Sequence, residues 1–256
     1  LLWGAVMSGL KFYPASHRYK LDGAWVPGVT TLIGKGLPKP ALSYWAARTV
    51  AEWVADNPTL AEDLGRMGGR GPAVAFLKEI PWQKRDDAAV RGTDIHALAE
   101  KVAHGEEVAV PEDLATTVQG YVEWLDANGV EVLLTERPVA SRQWRYAGTF
   151  DLIARMGGLT WLLDLKSSKG VYGSTALQLT AYGRAEFYLD ADGEEQPLPP
   201  IDRYGVLHVT PDGCTLHYLP ADLNEPAWRD FLHVAHVGRR AKTIDTYLTE
   251  ETPEHE

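Results

Sequence analysis

The stretch whose reading decides the fold runs Arg145-Tyr146-Ala147-Gly148-Thr149-Phe150-Asp151, turns through Met156-Gly157-Gly158, continues Trp161-Leu162-Leu163-Asp164-Leu165-Lys166, and closes on Gln178-Leu179-Thr180-Ala181-Tyr182. Its apolar residues predict two strands, over 144–155 and 159–167. The glycine pair between them supplies the backbone freedom of a tight hairpin turn. A helix is predicted over 173–189, burying Ala176, Leu177, Ala181 and Ala185 and setting Gln178 and Tyr182 one turn apart on a shared face. Residues two apart on a strand point the same way, so Asp164 and Lys166 share a face while Leu163 and Leu165 point into the core behind them. Asp151 falls at the corresponding place on the first strand.

That combination points to phosphate chemistry. Hydrolysing a phosphodiester needs hydroxide near neutral pH, positive charge against the reacting phosphate and help for the leaving oxygen, all of which carboxylate-held divalent cations can supply. Magnesium prefers hard oxygen ligands. Asp151 and Asp164 are the candidate carboxylates, the Leu165 backbone carbonyl could add a third oxygen, and Lys166 would orient or polarise the attacking water. An Asp-x-Lys on a strand is by itself more often a solvated ion pair. Order and spacing distinguish this one: Gly-Thr-Phe-Asp, then twelve residues, then Asp-Leu-Lys, with Gln-x-x-x-Tyr after.

That order resembles the nuclease core of the PD-(D/E)XK superfamily, and Gln178-x-x-x-Tyr182 resembles the Q-x-x-x-Y element of its RecB-like exonuclease branch. Upstream, Gly92-Thr93-Asp94-Ile95-His96-Ala97-Leu98-Ala99-Glu100 resembles the Gly-x-x-x-His-x-x-x-Glu helix that the branch places ahead of its acids. A short hairpin leading into a Val-Thr turn, here before Val29-Thr30, is similar to the start of many phage-encoded members. The resemblance implies an α/β fold with a restriction-endonuclease-like core: a central mixed sheet flanked by helices, with an N-terminal β-hairpin and helical additions. It implies a site with one or two magnesium or manganese ions. His96 would be a metal ligand, against the alternative of a structural hydrogen-bond partner, and Glu100 would support it. Gln178 and Tyr182 would contact the DNA strand. Glu136, on the strand before the hairpin, would bind a second metal or a bridging water, or equally pair with a nearby arginine. Related exonucleases that carry an iron-sulfur cluster need four cysteines, and this chain has only Cys214, so no such cluster is expected.

The expected function is a metal-dependent DNA exonuclease acting on linear or single-stranded ends. By resemblance, its setting is phage or bacterial recombination, repair or replication, with a recombination or helicase protein as a possible partner. Its rivals are a structure-specific endonuclease with the same site and a catalytically silent DNA-binding module of nuclease fold.

Composition bounds this reading. The chain has 256 residues, 45% apolar and 23% charged, as a globular α/β domain should. It reads as a single domain over 1–256, with an N-terminal hairpin at 11–33, a catalytic core at 86–189 and a C-terminal hairpin and helix at 201–248. No run is long and apolar enough for a membrane span. The apolar opening from Leu1 to Leu10 lacks the basic region of a signal peptide, and Met7 reads as the natural start. One cysteine excludes an internal disulfide, so a reducing, cytoplasmic location is expected, the host cytoplasm if the protein is phage-encoded.

A net charge of −10 counts against a general nucleic-acid binder. Yet Arg137, Arg142, Arg145, Arg155, Lys166, Lys169 and Arg184 surround the proposed centre in sequence, while acids collect in 190–195 and in a tail from Glu250 that is expected to fray.

The remaining stretches are read more simply. Asp22-Gly23 is the hairpin turn, 34–40 a loop without a Walker pattern, 43–56 a helix, and 60–81 a glycine-loosened connection or a mobile loop. Helices are expected from Asp86 through Val102 and over 111–128, a strand over 130–141, an acidic insertion over 190–200, a hairpin over 203–219 and a last helix over 226–248. His-Glu-x-x-His is absent, and His208 and His217 lie on facing strands without a carboxylate pattern, so both are expected to be structural.

Overall fold

The computed structural model describes residues 9–248, and the side chain of Met67 is outside that description. The expectations for Leu1 to Ser8, for Met7 and for the tail from Glu250 therefore lie outside the described residues. The contacts divide the described residues into two compact units, one of residues 9–37 and 98–248, the other of residues 38–97.

The first unit is α/β. Its strands β4 (Glu131–Ser141), β5 (Tyr146–Met156), β6 (Leu159–Lys166), β7 (Phe187–Leu189), β8 (Glu195–Pro197), β9 (Arg203–Thr210) and β10 (Gly213–Tyr218) form one mixed seven-stranded sheet in the order β10-β9-β6-β5-β4-β7-β8. Only β6 and β9 run parallel; the other neighbours are antiparallel. Strands β1 (Leu10–Tyr13), β2 (Arg18–Leu21) and β3 (Ala24–Val26) form a separate antiparallel sheet, wound through the Asp22-Gly23 turn.

Helices cover both faces of the large sheet. On one, α1 (Val29–Gly36), α6 (Ser174–Gly183) and α7 (Asn224–Ile244) bury Leu32, Leu179 and Phe231 against Phe150, Ile153 and Leu162. On the other, α5 (Glu112–Ala127) brings Tyr121 and Leu125 against Leu152, Leu163, Leu165 and Leu207, with Ala99 joining from the end of α4 (Arg70–Ala103). Because Leu163 and Leu165 face α5, the alternation of β6 turns Asp164 and Lys166 toward α6. Among the described residues no helix is long and apolar enough to cross a membrane.

Two expectations about the first unit need correction. Val29 to Ile33 is not part of the hairpin but opens α1, which runs on through Gly36 into the expected loop. Val29, Leu32 and Ile33 have helical spacing and are all buried, and the Leu32 carbonyl packs so close to Gly238 of α7 that a Cβ there would overlap it. Burial along one helical face outweighs the β-propensity of Val-Thr-Thr-Leu-Ile. Helix α6 also stops at Gly183 rather than running to Leu189. Its expected end is strand β7, which pairs Tyr188 with Val139 and Phe187 with Ala140 and so occupies the free edge of β4. Glu186 anchors this turn, accepting bonds from the Ser141 hydroxyl at 2.8 Å and the Arg142 backbone N–H at 2.8 Å.

The second unit is helical. Helix α2 (Pro40–Asp56) and helix α3 (Pro58–Gly68) each carry proline at their start, where its missing N–H costs nothing. The Asn57 amide donates to the Trp53 carbonyl at 2.9 Å between them. Residues 60–81 are thus helical rather than a loose connection: Gly69, with φ of 72°, ends α3, and α4 begins at Arg70 and runs through Pro81. Trp53 and Phe76 meet edge to face at 5.2 Å.

Candidate metal centre

The hairpin register builds the centre. Leu152 pairs with Leu163, so the next step along the two strands sets Asp151 opposite Asp164. There the ladder gives way to a side chain: the Leu165 backbone N–H donates to Asp151 Oδ2 at 2.7 Å. Asp164 is only 2% exposed. The Gln178 amide, descending from α6, donates to Asp164 Oδ1 at 2.7 Å, and the Lys166 ammonium lies 2.5 Å from Asp164 Oδ2 as an ion pair.

Glu136 enters from β4. Thr135 pairs with Leu152 and Arg137 with Phe150, which leaves Glu136 opposite Asp151, and a carboxylate oxygen of each lies within 4.8 Å of the other. Glu136 holds a left-handed backbone with φ of 47°. For a residue with a Cβ that conformation costs about 1 kcal/mol, and strain of this kind concentrates at functional positions.

The residues fit a hard divalent cation. Asp151 and Glu136 bring carboxylate oxygens within 4.8 Å of each other, and the Lys166 ammonium feels the charges of Asp164, Asp151 and Glu136 alike; carboxylate oxygens are donors that a hard divalent cation accepts. Each carboxylate oxygen has more than one lone pair, so the bonds to Gln178 and Lys166 leave ligating capacity on Asp164. Burial opposes the charge on Lys166, but the fields of Asp164, Asp151 and Glu136 outweigh it and raise its pKa above the ordinary lysine value. Lys166 is therefore a cation here, able to donate to a phosphate or to water rather than to abstract a proton.

Tyr182 reaches the same place by packing. The residue is buried, and its ring stands so close to Gly148 that a Cβ there would overlap Cε1. Burial first, then Tyr19 and the charges of Asp164 and Asp151, raise its hydroxyl pKa well above the ordinary tyrosine value. Glu100, on the last turns of α4, accepts from the Thr135 hydroxyl at 3.4 Å, next to Glu136. His96 lies one turn earlier on that helix, inside the range of the second unit.

Sequence reasoning missed several participants. His104 shares a hydrogen bond of 2.8 Å with Thr135. Tyr19 of β2 meets the Thr149 hydroxyl at 2.9 Å, two residues before Asp151, and His17 at 3.2 Å. Burial above all, with the charge of Glu136, pushes the Tyr19 hydroxyl up to about 12. Only the alternation of Arg18-Tyr19-Lys20-Leu21 hinted that Tyr19 faces inward.

Three of the arginines expected around the acids pair elsewhere. Arg142 pairs with Asp22 and Glu195, Arg155 with Glu131, and Arg184 with Glu225. Those arginines tie the fold's periphery together. His208 bonds the Ser168 carbonyl at 2.7 Å and tilts against His217, a structural contact.

No protein-family model and no curated protein sequence matches this chain. Among solved structures, the crystal structure of SSO0001 aligns over 86% of this chain and 76% of its own, at 15% identity and a TM-score of 0.34. A likeness at that level carries no weight for function.

Proposed function

We propose that this protein is a metal-dependent DNA exonuclease of RecB-like type, hydrolysing phosphodiester bonds from linear or single-stranded ends. The observation that carries the reading is the meeting of Asp151, Asp164 and Lys166 at one end of the β5–β6 hairpin, with Gln178 bonded to Asp164. A solvated surface ion pair needs neither a carboxylate that is 2% exposed nor an amide aimed at it.

In this reading Asp151, Asp164 and the Leu165 carbonyl would hold magnesium or manganese, one ion or two, with Glu136 serving a second. His96 is the nitrogen ligand that the resemblance to RecB-like nucleases implies, with Glu100 one turn later on the same helix as its support. The cation, when bound, supplies positive charge at the phosphate and eases loss of a proton from water. Gln178 fixes the rotamer of Asp164. Lys166 donates to the attacking water or to a phosphate oxygen and so orients the attack. Tyr182 holds the helix bearing Gln178 at its distance from β5. DNA is the partner, and a recombination or helicase protein would deliver the ends.

The test is end-labelled linear DNA incubated with magnesium, with manganese and with EDTA. Cleavage that needs metal, shortens ends and falls by about 100-fold or more in both Asp164→Ala and Lys166→Ala is expected. Equal cutting of closed circular DNA would make the protein an endonuclease. Undiminished turnover in either variant, or none in the wild type, would overturn the reading.

A further inference from the structure

The N-terminal sheet has two different faces. Leu10, Tyr19, Leu21 and Val26 point inward and are buried. By the alternation of the strands, Lys11 and Tyr13, Arg18 and Lys20, and Trp25 point outward. The register sets Tyr13 beside Arg18, Lys11 beside Lys20 and Lys20 beside Trp25, so these five side chains form one continuous patch.

Its chemistry is unusual for this chain. The three strands read Leu-Lys-Phe-Tyr, Arg-Tyr-Lys-Leu and Ala-Trp-Val and contain no acid, in a protein of net charge −10. Among the described residues Lys11, Arg18 and Lys20 take part in no ion pair, unlike the arginines around the large sheet. The aromatics are open to solvent, Trp25 at 51% and Tyr13 at 40%. Their rings meet at 5.2 Å, and the Arg18 guanidinium lies 4.0 Å over the Trp25 ring. Exposed rings interleaved with unpaired cations are what a single strand needs, since every base has a π-face to stack and every phosphate a charge to meet. Duplex DNA offers no free base faces.

We propose that this face is a stacking platform for single-stranded DNA, with bases against Trp25 and Tyr13 and phosphates against Lys11, Arg18 and Lys20. The platform deepens the nuclease reading and rests on it for the choice of DNA as ligand. Continuity with the centre supports the choice: Tyr19, on the inner face between Arg18 and Lys20, bonds Thr149, two residues ahead of Asp151. A strand lying on the platform is carried on the same sheet that abuts the carboxylate-bearing strand.

The experiment measures anisotropy of a fluorescein-labelled oligothymidylate with the full chain in EDTA, where binding is read without cleavage. Trp25→Ala and Tyr13→Ala should each weaken binding by roughly 5- to 100-fold, and Trp25→Phe should retain most of it. The paired change Lys11→Ala with Lys20→Ala should lower the slope of log affinity against log salt by about 0.7 per lysine. This pair also serves if an aromatic variant melts early. Wild-type affinity in both aromatic variants, no binding by the wild type, or duplex bound as tightly and through the same residues would overturn the platform. A wild type that cuts DNA but ignores these substitutions loses the platform alone. One that binds through Trp25 but never cuts loses the catalytic reading and keeps the platform.

Discussion

The Gln178 side-chain amide donates to Asp164 Oδ1 at 2.7 Å, so helix α6 is tied directly to the carboxylate near the end of β6. The acceptor is a buried carboxylate paired with Lys166, which makes the bond worth more than a neutral surface pair. Gln178→Leu keeps the volume and removes the donor. It should cost about 1–3 kcal/mol in denaturant unfolding, because Asp164 then loses one of its compensating partners. Cleavage should fall with it, as the carboxylate loses its fixed rotamer. A variant as stable as the wild type would show that Asp164 does not depend on the amide.

Gly148 is where the Tyr182 ring meets the backbone of β5. Gly148→Ala should cost about 1–3 kcal/mol by overpacking. Combined with Tyr182→Leu, which vacates the space a Cβ would take, the two losses should sum to less than their separate values. Thermal melts of the four proteins in the cycle check this. Strict additivity would mean that the ring and the glycine do not share the contact.

Glu136 offers a test of backbone strain separate from charge. Glu136→Gly and Glu136→Ala both remove the carboxylate, but only glycine adopts a φ of 47° without penalty. The glycine variant should be more stable than the alanine variant by roughly 1 kcal/mol. At most other strand positions the order is reversed. Both variants should bind manganese more weakly than the wild type, measured by calorimetry.

Tyr19 has a defined pH signature. Its hydroxyl, near 10.0 when unfolded, is pushed up to about 12 in the fold, by burial first and by the charge of Glu136. Below pH 10 both states keep the proton and this group adds no pH dependence. Between pH 10 and 12 only the unfolded chain ionises, so stability is lost as pH rises, by roughly 1–3 kcal/mol across the window. Tyr19→Phe should lose less stability than the wild type over that range in alkaline urea titrations. Parallel curves would place the hydroxyl in water.

Cys214 is partly buried on β10, and burial pushes its thiol up to about 12. At pH 8 the thiolate is then roughly a thousandfold scarcer than for an unperturbed thiol. Ellman's reagent should react slowly with the native protein and at the ordinary rate in guanidinium.

The local signals were legible in the linear chain. The α/β class, the hairpin with its Gly157-Gly158 turn, helix α5 and the β9–β10 hairpin follow from alternation, turn chemistry and helical spacing, each settled within a few residues. So does the shared face of Asp164 and Lys166, because strand geometry leaves no choice. The order of acids, lysine, glutamine and tyrosine also named the residues that meet Asp164 and Gly148, although their distances belong to the fold.

Whatever depended on a partner far along the chain was decided by the tertiary structure. Val29 to Gly36 coils because its backbone nests against Gly238, and Phe187 to Leu189 leaves the helix because the edge of β4 accepts it. Arg142, Arg155 and Arg184 pair away from the acids because Asp22, Glu195, Glu131 and Glu225 are nearer in space than the spacing of the chain could reveal. Tyr19 joined the centre across 130 positions, through one bond to Thr149. Local sequence sets which way a residue faces; only packing sets what it faces.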